Sequence, residues 1–156
     1  MKTFALAALA TTLLLAGCGE KATPKGHDHG APATAAADHH DEAGEKLTHF
    51  SAQTELFVEF PTLVAGQPAS FVAHFTKLAD FKPLADGKLT VVLAGGNAPD
   101  ERFVVDAQAA PGIFKPGVTP KAAGERELSL IVVSALGTIT HDLGPVTVFA
   151  DAKAAE

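Results

Sequence analysis

Residues 47–150 predict an all-β sandwich, and three observations carry that expectation. The apolar residues fall in short runs rich in β-branched and aromatic side chains, with Gly and Pro between them at regular spacing. Several runs alternate apolar and polar residues with the period of two that half-buries a strand. No stretch of the domain sustains the 3.6-residue apolar period of an amphipathic helix. Short strands at this density fit an immunoglobulin-like β-sandwich of about seven strands. The tryptophan and cysteine pair of antibody domains are missing, since the chain has one Cys and no Trp.

The elements follow in order. From Thr54 to Phe60, Leu56 and Val58 share one side and Phe57 lies on the other. From Ser70 to Thr76 the alternation is clearer: Phe71, Ala73 and Phe75 share one face, and Ser70, His74 and Thr76 the other. Leu89 to Leu93 forms a run that stops at Gly95-Gly96. Arg102 to Asp106 precedes the turn Pro111-Gly112, and Ile113 to Val118 leads into Pro120. Glu127 to Val133 places Leu128, Leu130 and Val132 on one face. Thr140 to Phe149 closes the set. Gly144-Pro145 inside this last run predicts a bulge or an edge strand, because proline cannot donate to a ladder.

The first residues set the expected address. Lys2 begins a short positive region, and Phe4 to Leu15 is apolar apart from Thr11 and Thr12. That length suits a signal peptide and falls short of the roughly 20 residues a spanning helix needs. The run ends in Leu15-Ala16-Gly17-Cys18, which places small residues directly before the only thiol. This is the pattern of a bacterial lipoprotein signal, cut before the cysteine whose sulfur then carries diacylglycerol. Residues 1–17 are the expected signal peptide, and Cys18 is the expected lipid anchor. The protein is expected in the bacterial cell envelope, held to a membrane by its N-terminal lipid and facing the periplasm. Gly19 in place of Asp favours the outer membrane. Lipidation of Cys18 leaves no thiol for a disulfide, so the core alone must hold the domain.

Residues 18–46 read as a His-rich disordered linker, because Glu20 to Glu45 holds almost no large apolar residue to offset chain entropy. Residues 151–156 read as a short polar tail. The chain has 12 basic and 18 acidic residues, a net charge of −6, and no basic cluster, which excludes nucleic acid as a partner class.

The linker carries His27-Asp28-His29 and His39-His40-Asp41-Glu42. Neutral imidazole and carboxylate are ligands for Zn²⁺, Co²⁺, Ni²⁺ and Cu²⁺. His27, Asp28, His29, His39, His40 and Asp41 are therefore candidate metal ligands. Soft Cu(I) would call for methionine, and the only Met is Met1. His49, His74 and His141 in the domain are further candidates, provided strand pairing brings them together. Asp142 follows His141 and is a candidate to orient its imidazole. No cofactor is required by any motif.

Enzyme chemistry has no footing in these patterns. Glu55 and Glu59 lie on one short strand, Ser70, Ser129 and Ser134 lack a nucleophile elbow, and no lysine or helix follows Gly95-Gly96-Asn97 to cradle a phosphate.

Several segments carry a family likeness: Leu47-Thr-His-Phe, Thr54-Glu-Leu-Phe-Val-Glu-Phe-Pro, Leu63-Val-Ala-Gly, Ala73-His-Phe-Thr, Leu78-Ala-Asp-Phe-Lys-Pro, Gly87-Lys-Leu-Thr-Val, Pro111-Gly-Ile-Phe and His141-Asp-Leu-Gly-Pro-Val. In this order they resemble the N-terminal domain of heavy-metal periplasmic adaptor subunits (membrane fusion proteins) of resistance-nodulation-division efflux pumps. The resemblance implies an accessory role in metal export, with pump or adaptor components as partners. Members of that family continue into lipoyl-like, helical-hairpin, β-barrel and membrane-proximal domains, and this sequence stops shortly after Asp151. The expectation is a free-standing relative of the first domain or a piece of a longer adaptor. The alternative is a structural lipoprotein that docks an envelope partner without metal.

Overall fold

A computed structural model describes residues 44–156. Cys18 and the candidate ligands His27, Asp28, His29, His39, His40 and Asp41 lie outside the described residues. The described residues are an all-β sandwich. Seven strands have five residues or more: β1 (Gly44–Phe50), β2 (Thr54–Pro61), β5 (Val72–Lys77), β6 (Lys88–Ala94), β7 (Glu101–Val105), β10 (Gly124–Ser134) and β11 (Gly137–Phe149). Four two-residue strands complete the set: β3 (Leu63–Val64), β4 (Ala69–Ser70), β8 (Ile113–Phe114) and β9 (Gly117–Val118). A four-stranded sheet runs β1-β2-β5-β8, a five-stranded sheet runs β3-β11-β10-β6-β7, and β4 and β9 pair alone.

Alternation builds the core. In β2, Thr54, Leu56, Val58 and Phe60 are buried and the residues between them are not. Ala73 and Phe75 of β5 and Phe114 of β8 extend this inner face, and Phe71 stacks on Phe60 with centroids 4.4 Å apart. The second sheet answers with Leu89, Val91 and Leu93 of β6, Leu128, Leu130 and Val132 of β10, and Ile139 and Val148 of β11. Full burial of one such side chain is worth about 1.5–3 kcal/mol, so this shared core supplies the main cohesion between the sheets.

The chain changes sheets at Pro61. Strand β2 belongs to the four-stranded sheet, and two residues later β3 lies parallel to the end of β11, with Leu63 opposite Val148. Pro61 is the last residue of β2, still opposite Gly44, but has no N–H to donate onward, and such corners let one segment serve both sheets of a sandwich.

Several boundaries differ from the sequence expectation: β10 and β11 each start three residues early, at Gly124 and Gly137, and the run Ile113–Val118 is split into β8 and β9. Strand β1 begins at Gly44, so the expected linker of residues 18–46 gives way to ordered strand three residues before the expected domain start at Leu47. The reason is its place at the sheet edge: Glu45 and Lys46 are exposed, and Lys46 pairs across the ladder with Glu59 at 3.4 Å. Such a strand has no clean apolar alternation to read. The run Ser70–Thr76 breaks at Phe71, whose N–H leaves the ladder and donates to Pro116 O at 3.0 Å. In the tail, Ala152–Ala155 forms a 3-10 turn whose Ala154 N–H donates to the Asp151 carboxylate at 2.9 Å.

The irregularity expected at Gly144-Pro145 is present. Leu128 pairs with Gly144 and Ser129 with Asp142, which leaves Leu143 as the extra residue of a bulge. Among the described residues, no helix is long and apolar enough to cross a membrane.

Gly112 closes the turn before β8 with φ +76, and its carbonyl accepts from Phe75 N–H at 2.8 Å. A Cβ there would stand 2.8 Å from Pro83 Cβ and 2.9 Å from Phe75 O. Gly112→Ala is expected to lose about 1–3 kcal/mol of folding stability, from the left-handed backbone and the clash together. Urea denaturation measures it, and a change below half a kilocalorie would refute this account of the turn.

Candidate functional site

The site that the fold assembles lies where the edge of one sheet meets the other. His141 sits on β11 with the parity of Ile139, which turns both inward, and His141 is fully buried. His49 sits on the edge strand β1 and is half-buried. Strand β1 lies beside β11, so these residues meet although 92 positions separate them. Their Nδ1 atoms are 3.0 Å apart, and the rings stand nearly perpendicular, at 80°.

A hydrogen-bonded chain continues from the other side of His141. Its Nε2 lies 3.0 Å from Thr54 Oγ1, and Thr54 Oγ1 lies 3.1 Å from Ser51 Oγ. Ser51 sits in the turn between β1 and β2, where its Oγ also accepts from the N–H groups of Gln53 and Thr54. The ring of Phe75 meets His141 edge-on at 5.6 Å and fixes the imidazole plane. Every nitrogen of the buried ring is therefore bonded, as a buried polar group must be. With both rings neutral, a single proton occupies the Nδ1–Nδ1 contact, because one nitrogen must donate and the other accept.

Burial pushes the His141 imidazole down to about 4, and the neighbouring His49 ring adds to the effect. A hydrogen bond with the His49 backbone and the charge of Asp142 act in the opposite sense. His141 is thus neutral at neutral pH, the form in which imidazole accepts a hydrogen bond or binds a cation.

The sequence left open whether the domain histidines converge. His49 and His141 do. His74 does not join them: it is half-buried on the opposite side of β5 from Phe75, with its ring 5.8 Å from that of Phe57. Among the described residues, no three His, Cys, Asp or Glu side chains gather as a metal-holding group. Asp142 does not orient His141 through a hydrogen bond. Consecutive strand residues point to opposite faces, so Asp142 is exposed while His141 is buried, and Asp142 acts through its charge alone.

Two polar features escaped the sequence reading. One is the Ser51–Thr54 extension. The other is a buried ion pair at the opposite end of the sandwich. Arg126 is 2% exposed, and its Nη1 donates to Glu101 Oε1 at 3.1 Å. Its remaining donors reach Leu93 O at 2.7 Å, Pro99 O at 2.8 Å and Ala94 O at 3.3 Å. Glu101 in turn accepts from Lys121 N–H at 2.8 Å and Ala122 N–H at 3.4 Å. Together they tie two loops to strands β6 and β10. Parity was the available signal in both cases. Thr54 shares its face with Leu56 and Val58, and Arg126 with Leu128 and Leu130, so a polar residue in an apolar register marks a buried partner.

Fold and site together define an all-β sandwich domain whose two sheets are bridged by a bonded histidine pair. No protein-family model, curated protein or solved structure matches this chain.

Proposed function

We propose that this chain is a lipid-anchored protein of the bacterial cell envelope that captures divalent metal ions and assists their export beside an efflux pump of the resistance-nodulation-division class. The observation that carries the reading is the pair of clusters His27-Asp28-His29 and His39-His40-Asp41, placed between the lipidation signal at Cys18 and the first strand of the domain. Imidazole and carboxylate in such density suit Zn²⁺, Co²⁺, Ni²⁺ or Cu²⁺ as cargo. Tethering through Cys18 holds the clusters within a leash length of the membrane, which raises the local concentration of any captured ion there. The sandwich serves as the folded body of the protein, and the likeness of its segments to adaptor N-terminal domains suggests the pump as the recipient.

Calorimetric titration with Zn²⁺, Co²⁺ and Ni²⁺ tests this. The chain from Cys18 onward is expected to bind at least one ion, and the same chain without residues 20–43 is expected to lose most of the heat. Equal heats with and without that segment would remove the leader from the function.

A second reading, partner docking without metal, is favoured by Phe81. It is 79% exposed and holds a left-handed φ of 54 in the turn after β5. An exposed aromatic on strained backbone is a feature that docking surfaces use.

A further inference from the structure

We infer that the His49–His141 contact is a proton-operated latch on the seam between the two sheets, closed while the pair holds one added proton or none and opened by the second. Strands β1 and β11 lie side by side but belong to different sheets, so no ladder joins them. The two imidazoles make the tie instead, through Nδ1 atoms 3.0 Å apart. Beside this tie the seam is already parted. Leu47, two residues before His49, and Leu143, two after His141, line an open cleft of about 420 Å³ together with Phe60, Leu63 and Val146. The latch is independent of the metal-binding leader.

The proton count gives the latch its threshold. Two neutral rings carry two protons, and one of them lies in the Nδ1–Nδ1 contact, where one nitrogen donates and the other accepts. A third proton fits. Both Nε2 atoms are then protonated, one proton stays between the Nδ1 atoms, and His141 Nε2–H donates to Thr54 Oγ1 at 3.0 Å. The half-buried ring of His49 connects the pair to water. A fourth proton has no place. Each Nδ1 would point a hydrogen at the other across the 3.0 Å contact, and two like charges would meet with one of them fully buried. The rings must then part, because an unpaired buried charge costs far more than a lost hydrogen bond.

The packing around His141 offers no relief. It meets Thr54 from β2 and Phe75 from β5, and on β10 it lies opposite Leu130. The titratable groups that act on it are His49 on β1 and Asp142 on β11. Burial and then the His49 ring oppose its charged form, while a hydrogen bond with the His49 backbone and the charge of exposed Asp142 favour it. Burial prevails and lowers the imidazole from 6.5 to about 4. The folded state therefore takes this proton less readily than the unfolded chain does. Its stability is full above pH 6.5 and falls as the pH drops toward about 4, by at most ~10-fold in the folding equilibrium per pH unit. The latch gives that loss a local outlet. Strand β1 is the outermost strand of its sheet, so parting it from β11 leaves the ladders of both sheets intact.

The test follows the nitrogen-15-labelled chain from Cys18 to Glu156 by NMR as the pH is lowered. At neutral pH, scalar coupling between the two Nδ1 atoms through the shared proton is expected. It is expected to vanish near pH 4 while the Val91 and Leu130 amides of the second sheet stay protected from exchange. Coupling that persists with both rings charged would overturn the latch. Coupling lost only together with the Val91 and Leu130 protection would overturn it too, since that is global acid unfolding. His49→Gln supplies the contrast. Its carboxamide oxygen can accept from a charged His141, so His141 is expected to bind its proton about 3–10-fold more tightly. An unchanged His141 midpoint in that variant would show that the pair has no threshold. His74→Ala is expected to leave the midpoint where it is, because that ring lies against Phe57 on the outer face. A midpoint that moved there would assign the transition to the wrong face and overturn the latch.

Discussion

Glu101→Ala is expected to cost about 3–5 kcal/mol of folding stability, the range for breaking a buried ion pair by removing one partner. The cause is the guanidinium left behind. Arg126 is 2% exposed and its partner's side chain only 12% exposed, so water cannot replace the lost carboxylate. The N–H groups of Lys121 and Ala122 lose their acceptor at the same time. Glu101→Gln separates the two contributions: it keeps an oxygen for those N–H groups and removes the charge. The surface pair Lys46–Glu59 is the internal control. Its side chains are 69% and 38% exposed, and an exposed pair contributes about 0–1 kcal/mol. Urea denaturation of the three variants decides the matter. A loss for Glu101→Ala no larger than that for Glu59→Ala would show that Arg126 is solvated after all. Replacing both partners by apolar residues of similar volume is expected to recover much of the loss, since the pair's own net contribution is small once desolvation is counted.

Phe75→Ala is expected to cost a similar amount, about 3–5 kcal/mol, as large aromatic truncations in cores do. Phe75 is 1% exposed and meets Phe114 edge-on at 5.6 Å, 85° apart, on one side and His141 on the other. Its backbone is committed too: its N–H donates to Gly112 O, and its carbonyl accepts from Leu84 N–H at 3.0 Å. The neighbours are therefore held in place and cannot collapse into the void. For a domain with the usual total of about 5–15 kcal/mol, the alanine variant stands close to unfolding. Phe75→Leu retains most of the volume and is expected to cost less than half as much. Equal midpoints for wild type and Phe75→Ala in urea would mean that this end of the core repacks freely. Loss of the ring also frees the His141 imidazole to turn, so the His49 contact should weaken in the alanine variant and persist in the leucine one.

The legible and illegible parts of this fold divide along one line. Strands with one buried face were readable, because burial of alternate residues leaves its period in the sequence: Leu56 and Val58 in β2, Ala73 and Phe75 in β5, and Leu128, Leu130 and Val132 in β10 are inward as expected. The bulge at Leu143 was readable from Gly144-Pro145, because the constraint is local. Strand β1 was not, since an edge strand that buries little has no period to leave. The break at Phe71 was not, because it depends on Pro116 reaching across from another part of the chain.

The candidate site divides in the same way. That His49, His74 and His141 were ligand-competent residues followed from their chemistry. Which of them meet was a question of packing, because β1 and β11 belong to different sheets and no local pattern relates them. The same holds for Arg126 and Glu101, whose parity hinted at burial but whose partnership needed the folded loops.

By itself the sequence determined an all-β sandwich with about seven principal strands and the faces of most of them, because both follow from interactions within a few residues. It also determined the expectations of an anchor at Cys18 and a metal-competent leader. Only the tertiary structure decided that His49 and His141 share one contact 3.0 Å long, that His74 stands apart, and that Arg126 is buried. These depend on which strands lie against one another across the sandwich, and residue spacing along the chain does not encode that.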